Sequence, residues 1–232
     1  MSLCFSTAGT RKNVISIEEP QVLIDWYNGD KLNEPGVPNV MHGPDYYASK
    51  RITGDPDELG FDDLPWAVLL DGQPRGDGAL HLLKMQPVDI SAISNKPLHL
   101  LNPADRRVIA EALEAVCGRG VGCPIASKML HPKRRESVPV LDNSAIFGSF
   151  DHANWEPWGR AKGGGTVKRR DRILQALNRV HVAVSDPANK VGWLSLEKAN
   201  PPFTRIELFD QVWWACRYGG DVLRAAAGVT ER

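Results

Sequence analysis

The chain has 232 residues, 42% of them apolar and 24% charged. This is ordinary globular usage, which excludes a collagen-like, coiled-coil or wholly disordered chain and fits one folding unit, or one with an elaborated end. No apolar run approaches the roughly 20 residues that span a bilayer, and the amino terminus lacks a signal-peptide pattern, so we expect a soluble, cytoplasmic protein with no membrane partner. Four scattered cysteines, Cys4, Cys117, Cys123 and Cys216, offer neither a disulfide framework nor a C-x-x-C ligand pair; reduced thiols, no metal and no cofactor are expected.

Twenty-eight Lys and Arg balance 28 Asp and Glu, but the zero is an average. Residues 1–71 carry 5 basic against 12 acidic side chains (5 − 12 = −7), and residues 119–172 carry 11 against 5 (11 − 5 = +6). Either the basic block faces an anionic partner, or the two blocks pack together and neutralise each other.

In chain order, residues 1–60 read as an irregular acidic arm. It holds one short helix around Val22–Tyr27, then a long Pro-, Gly- and Asn-rich surface stretch from Asn28 to Gly60. A helical domain begins at Phe61, where acidic residues precede Pro65 and Leu64, Ala67, Val68, Leu69 and Leu70 give a buried face. Ala79–Met85 is a second short helix. Asn102 is a good N-cap with Pro103 behind it, and Val108, Ile109, Ala112, Leu113 and Val116 recur at helical spacing until Gly118. A helix from about Cys123 to Leu130 follows, then a basic turn from His131 to Arg135. Ile173–Val184 and Ile206–Tyr218 complete the helices, the last placing at least one of Trp213 and Trp214 inside. No strand alternation is sustained. The fold class is therefore mainly α, one helical domain over residues 61–232 with helix-hairpin-helix character across 102–150.

Gly120-Val121-Gly122 joins two of these helices. A glycine hairpin lets backbone N–H groups at the second helix approach an anion closely, and phosphate is the natural guest. Lys128, Lys133, Arg134 and Arg135 lie beside it. Further on, Gly163-Gly164-Gly165 sits among Lys168, Arg169 and Arg170, a flexible cationic loop without nucleotide-binding P-loop spacing. His131 adjoins the hairpin and can serve as acid, base or phosphate donor. Trp155 and Trp158 can stack on a nucleobase; tryptophans also serve as core.

Gly120-Val121-Gly122, Ala126 and Val138-Pro139-Val140-Leu141-Asp142 resemble the helix-hairpin-helix DNA glycosylases, with Asp142 lying 20 positions after Gly122 (142 − 122). The resemblance implies a flipped nucleotide, a hairpin gripping backbone phosphate, and Asp142 supporting charge on the sugar or assisting water. It implies DNA, duplex or single-stranded, as partner. Pro124 stands where bifunctional members carry a lysine, so hydrolysis without lyase chemistry is implied; Cys117-Gly118-Arg119 replaces the usual Leu-Pro lead-in, and an iron–sulfur cysteine cluster is missing. Residues 126–134, 138–142 and 206–214 are also similar to an uncharacterised bacterial, mainly actinobacterial, family, which implies no activity.

Bland alternatives stand beside these. Asp142, followed by Asn143 and Ser144, fits a helix N-cap, and the glycines fit a tight turn between helices. The cations fit a solvated face. The expected function is nucleic-acid binding with N-glycosidic hydrolysis if active; the alternative is a non-catalytic interaction or structural protein using its basic loop for an acidic partner. A small-molecule enzyme with Asp142 and His131 at a pocket is a third class.

Overall fold

The computed structural model describes residues 2–7, 13–30, 47, 54–70, 73–142 and 169–231. Helices dominate: α1 (Pro20–Asp25), α2 (Leu64–Leu69), α3 (Gly78–Lys84), α4 (Pro103–Val116), α5 (Cys123–Leu130), α6 (Arg169–Ser185), α7 (Lys190–Ala199), α8 (Arg205–Tyr218) and α9 (Gly220–Ala226). The Asn102 side chain accepts from the Ala104 and Asp105 N–H groups at 2.8 and 3.0 Å, while Asp105 accepts from the Asn102 N–H at 3.1 Å. The cap fixes where α4 begins. Along α6, Ile173, Leu177, Val180 and Val184 form one buried stripe, and its packing on α4 builds one wall of the core.

The amino-terminal segment departs from the irregular arm expected of it. β1 (Leu3–Thr7) and β2 (Asn13–Ile17) pair antiparallel, with Leu3 opposite Ile17 and Phe5 opposite Ile15. β2 also pairs with β5 (Thr230–Glu231) near the end of the chain. The cause is a period-2 pattern only two apolar residues long on each strand, too short to stand out in sequence. Leu3, Phe5, Ile15 and Ile17 are all buried. Phe5 lies edge-on to Phe209 and Trp213 at ring separations of 5.8 and 5.5 Å. Leu3, Phe5, Ile15, Ile17, Leu23, Ile24, Trp26, Tyr27, Tyr47 and Leu59 belong to the same core as the helices, so the described part of this segment packs with them.

A two-residue ladder, β3 (Glu58–Leu59) with β4 (Val88–Asp89), lies beside a 3-10 turn at Phe61–Asp63 that leads into α2. Among the described residues no helix is long and apolar enough to cross a membrane.

Candidate functional site

The hairpin between α4 and α5 is made by Gly118 and Val121, which exchange backbone hydrogen bonds of 3.0 and 3.2 Å. Gly120 turns the chain at φ 71°, a left-handed conformation that suits glycine. Its carbonyl accepts from the Arg75 N–H at 2.9 Å, and a Cβ on Gly120 would stand 1.7 Å from the Arg75 carbonyl oxygen. The segment before α3 therefore lies directly on the hairpin. The Gly122 carbonyl accepts from the Ile125 and Ala126 N–H groups, opening α5. The two glycines expected to grip phosphate thus place their carbonyls on Arg75 and on the start of α5.

The basic residues after the hairpin lie elsewhere than on the surface expected of them. Lys133 is buried, with its ammonium on both oxygens of Asp63 at 2.9 and 3.0 Å and on the carbonyls of Asp55 and Glu58 at 2.7 and 2.5 Å. Arg134 is also buried. Its guanidinium meets Asp57 at 2.7 Å and the carbonyls of Pro56 and Ile90, each at 3.0 Å. Lys128 donates to the Leu70 carbonyl at 2.7 Å. Arg135 grips Glu207 with two parallel bonds of 2.8 and 3.1 Å and donates to the Tyr47 carbonyl at 2.8 Å. A desolvated ammonium or guanidinium must be paired inside, and the acidic stretch 55–63 supplies much of that pairing. The neutralisation of one block by the other is thus realised here, and these four cations do not form a solvent-facing phosphate surface.

Arg169 and Arg170 sit at the carboxyl end of α4, where Arg169 donates to the Cys117 carbonyl at 3.1 Å and the Arg170 N–H donates to Glu114 at 3.0 Å. Cations there complement the helix dipole. Lys168, Trp155 and Trp158, and the helix that Asp142 would cap, lie outside the described residues.

His131 is buried rather than a surface turn histidine: Nδ1 is 2.6 Å from the Val138 carbonyl oxygen and Nε2 is 3.1 Å from Glu207. With both ring nitrogens engaged by internal acceptors, His131 is a positioning group, which corrects its expected acid–base role. It fixes the strand-like run 138–142 that carries Asp142, helped by the Leu141 N–H donating to the Ser127 hydroxyl at 2.9 Å.

That run brings the half-buried Asp142 near enough to Asp210 on α8 and to Tyr27 for its charge to act on both. Tyr47 donates a short hydrogen bond to Asp210, and Tyr47 packs edge-on against His131 at 5.6 Å. Burial, reinforced by the charge of Asp142, pushes the Asp210 carboxyl up to about 7, with the Tyr47 bond opposing. The same burial, with Asp210 beside it, raises the Tyr27 hydroxyl well above its usual range. Glu207, also buried, behaves oppositely. Desolvation would raise it, but His131, Arg135 and the Thr204 N–H at 2.7 Å hold it below the ordinary glutamate value. Two carboxyls on one helix are thus set apart, one kept ionised and one poised to hold a proton near neutrality. Among the described residues no His, Cys, Asp or Glu cluster can hold a metal ion.

Sequence reasoning singled out Asp142 and His131 and passed over Tyr27, Tyr47, Glu207 and Asp210, which interact with them. A signal existed in the helix Ile206–Trp214: Glu207, Asp210 and Gln211 recur at spacings of three and four on an otherwise apolar helix, the pattern of a buried polar face. Comparison with protein-family models, curated proteins and solved structures finds no match for this chain.

Proposed function

We propose that this protein is a monofunctional hydrolase of N-glycosidic bonds, acting on a nucleic acid or nucleoside, in which Asp142 faces the reacting sugar and Asp210 is the neighbouring protonated acid. The observation that carries this is the nearness of Asp142 to a buried carboxyl, Asp210, raised to about 7 by burial with the charge of Asp142 adding to it. An ionised carboxylate stabilises positive charge developing on a sugar, and an acid of that strength can give a proton to a departing base near neutral pH. The order of hairpin, α5 and Asp142 supports the choice of bond, as it resembles the helix-hairpin-helix DNA glycosylases. Helix-hairpin-helix character across 102–150 belongs to the same proposal. Four free thiols accord with a reducing cytoplasm.

Internal pairing of Lys128, Lys133, Arg134 and Arg135 weighs toward the substrate being gripped by groups other than these cations. It also favours a second reading, a non-catalytic protein whose open cleft, lined by His81, Lys84 and an Arg119 that Asp77 partly pairs at 3.5 Å, meets an acidic partner.

The test is base release under single-turnover conditions from oligonucleotides carrying deaminated, alkylated or oxidised bases, and from free nucleosides. Abasic product is expected from wild type, falling by about a hundredfold or more in Asp142→Asn. No release from any substrate would support the second reading.

A further inference from the structure

His99, His181 and Arg106 come together where the turn before α4, α4 itself and α6 meet, and none of them belongs to the acid cluster. Arg106 is a buried residue of α4 that ties the other two elements to each other. Its Nη1 donates to the Leu101 carbonyl at 2.5 Å and its Nε to the Asn178 side-chain oxygen at 2.7 Å. Leu101 directly follows the 3-10 turn Leu98–Leu100 that carries His99, and Asn178 stands three residues before His181 on the same face of α6. The guanidinium is thus fixed between the elements that bear the two rings. After partial burial, the charge of Arg106 and then that of His99 hold His181 below the ordinary histidine value. His99 is held low in the same way by burial and Arg205, with Glu197 opposing.

The carboxylates that act on these groups are already engaged. Glu197 grips Arg205 with both oxygens, at 2.8 and 3.0 Å, and Asp105, which acts on Arg106, accepts from the Asn102 N–H at the start of α4. Among the described residues neither imidazole has a hydrogen-bond partner, and the His99 Nδ1 is fully buried without one. A covered nitrogen with no acceptor favours the tautomer that carries its proton on Nε2, so His99 keeps a donor to offer. Arg106 keeps a further donor in Nη2, since its described bonds use Nε and Nη1. Both rings are half-exposed, and the cluster is reached from solvent without any opening of the fold. The fixed charge of Arg106 works against a metal cation here. An anion does the opposite: it favours the protonated rings and offsets the repulsion among the three groups.

We propose that His99, His181 and Arg106 form a binding site for a tetrahedral dianion, either a free oxyanion such as sulfate or the phosphate group of a monoester. Donors from three separate elements suit a group with three oxygens to offer, whereas a carboxylate has two. The site shares no residue with the N-glycoside reading and does not depend on it.

Proton NMR of the histidine Cε1–H signals tests it, with the full chain titrated with sodium sulfate at pH 6 and at pH 8 against sodium chloride of equal ionic strength. Sulfate is a dianion at both values, so any pH dependence belongs to the protein. The His99 and His181 signals are expected to move together and to saturate, with affinity falling about tenfold or more from pH 6 to pH 8 as the rings lose their protons. His181→Gln removes a half-exposed ring that has no internal partner, and it is expected to weaken sulfate about tenfold while the unfolding midpoint stays in place. Phenyl phosphate, titrated in the same way, separates the two sources: saturation at lower concentration than sulfate assigns the site to an ester, and equal or weaker binding assigns it to a free oxyanion. Movement no greater than chloride produces, movement centred on His81 instead, saturation by zinc chloride in place of sulfate, or undiminished sulfate binding by His181→Gln would overturn the proposal.

Discussion

Lys133→Ala is expected to destabilise the fold by about 3–5 kcal/mol, the cost of removing one partner from a buried ion pair. Asp63 is 1% exposed and would lose its buried cation while keeping the Gly60 N–H at 3.0 Å, and the carbonyls of Asp55 and Glu58 would lose their donor. Urea unfolding of the variant against wild type measures it. The companion pair Lys133→Met with Asp63→Leu should recover much of the loss, since replacing both charges removes both desolvation costs. A solvated lysine that met nucleic-acid phosphate would behave otherwise. Its loss would change stability by less than about 0.5 kcal/mol and would chiefly reduce the salt dependence of DNA binding.

Asp210→Asn is expected to stabilise the protein above neutral pH, by on the order of 4 kcal/mol at pH 8. The Asp210 carboxyl stands at about 7 in the fold against an ordinary 3.8, so between those values the folded chain holds a proton that the unfolded chain releases. Stability from this group is therefore fully present below about pH 4, declines as pH rises toward about 7 and is flat above. Asparagine stays neutral throughout and can still accept from Tyr47, so the variant should lack this decline while matching wild type near pH 4. Glu207 acts in the other sense: its contribution is present above the ordinary glutamate value and is lost as pH falls through its lowered folded value. Chemical unfolding at pH 4, 6 and 8 separates the two, and equal stability of wild type and Asp210→Asn at pH 8 would count against a protonated Asp210. A gain in stability on removing a buried acid is what a site kept for chemistry at the expense of stability should show.

The helices with strong local punctuation were legible. Asn102-Pro103 marked the start of α4, Cys123–Leu130 is α5 as expected, and α6 and α8 fall on the periods that predict them. The β-hairpin was not, because each strand declares itself by two apolar residues and takes its meaning from Phe209 and Trp213 far along the chain. Helices α7 and α9 were passed over as well. At the site, sequence can mark a run such as Lys133-Arg134-Arg135 as basic but cannot say which carboxylates lie opposite. Here Asp57, Asp63 and Glu207 do, at sequence separations of 70 or more. Asp210 was hidden for the same reason. Its character comes from burial and from Tyr47 and Asp142, contributed by distant parts of the chain.

The coupling of Asp142 to a protonated Asp210 is most directly measured by carboxyl-carbon NMR titration of Asp210 in wild type and in Asp142→Asn. The account predicts a wild-type midpoint near 7 that moves down when the charge at position 142 is removed, because that charge helps keep the proton on Asp210. A wild-type midpoint at the ordinary aspartate value, or one that Asp142→Asn leaves in place, would contradict it.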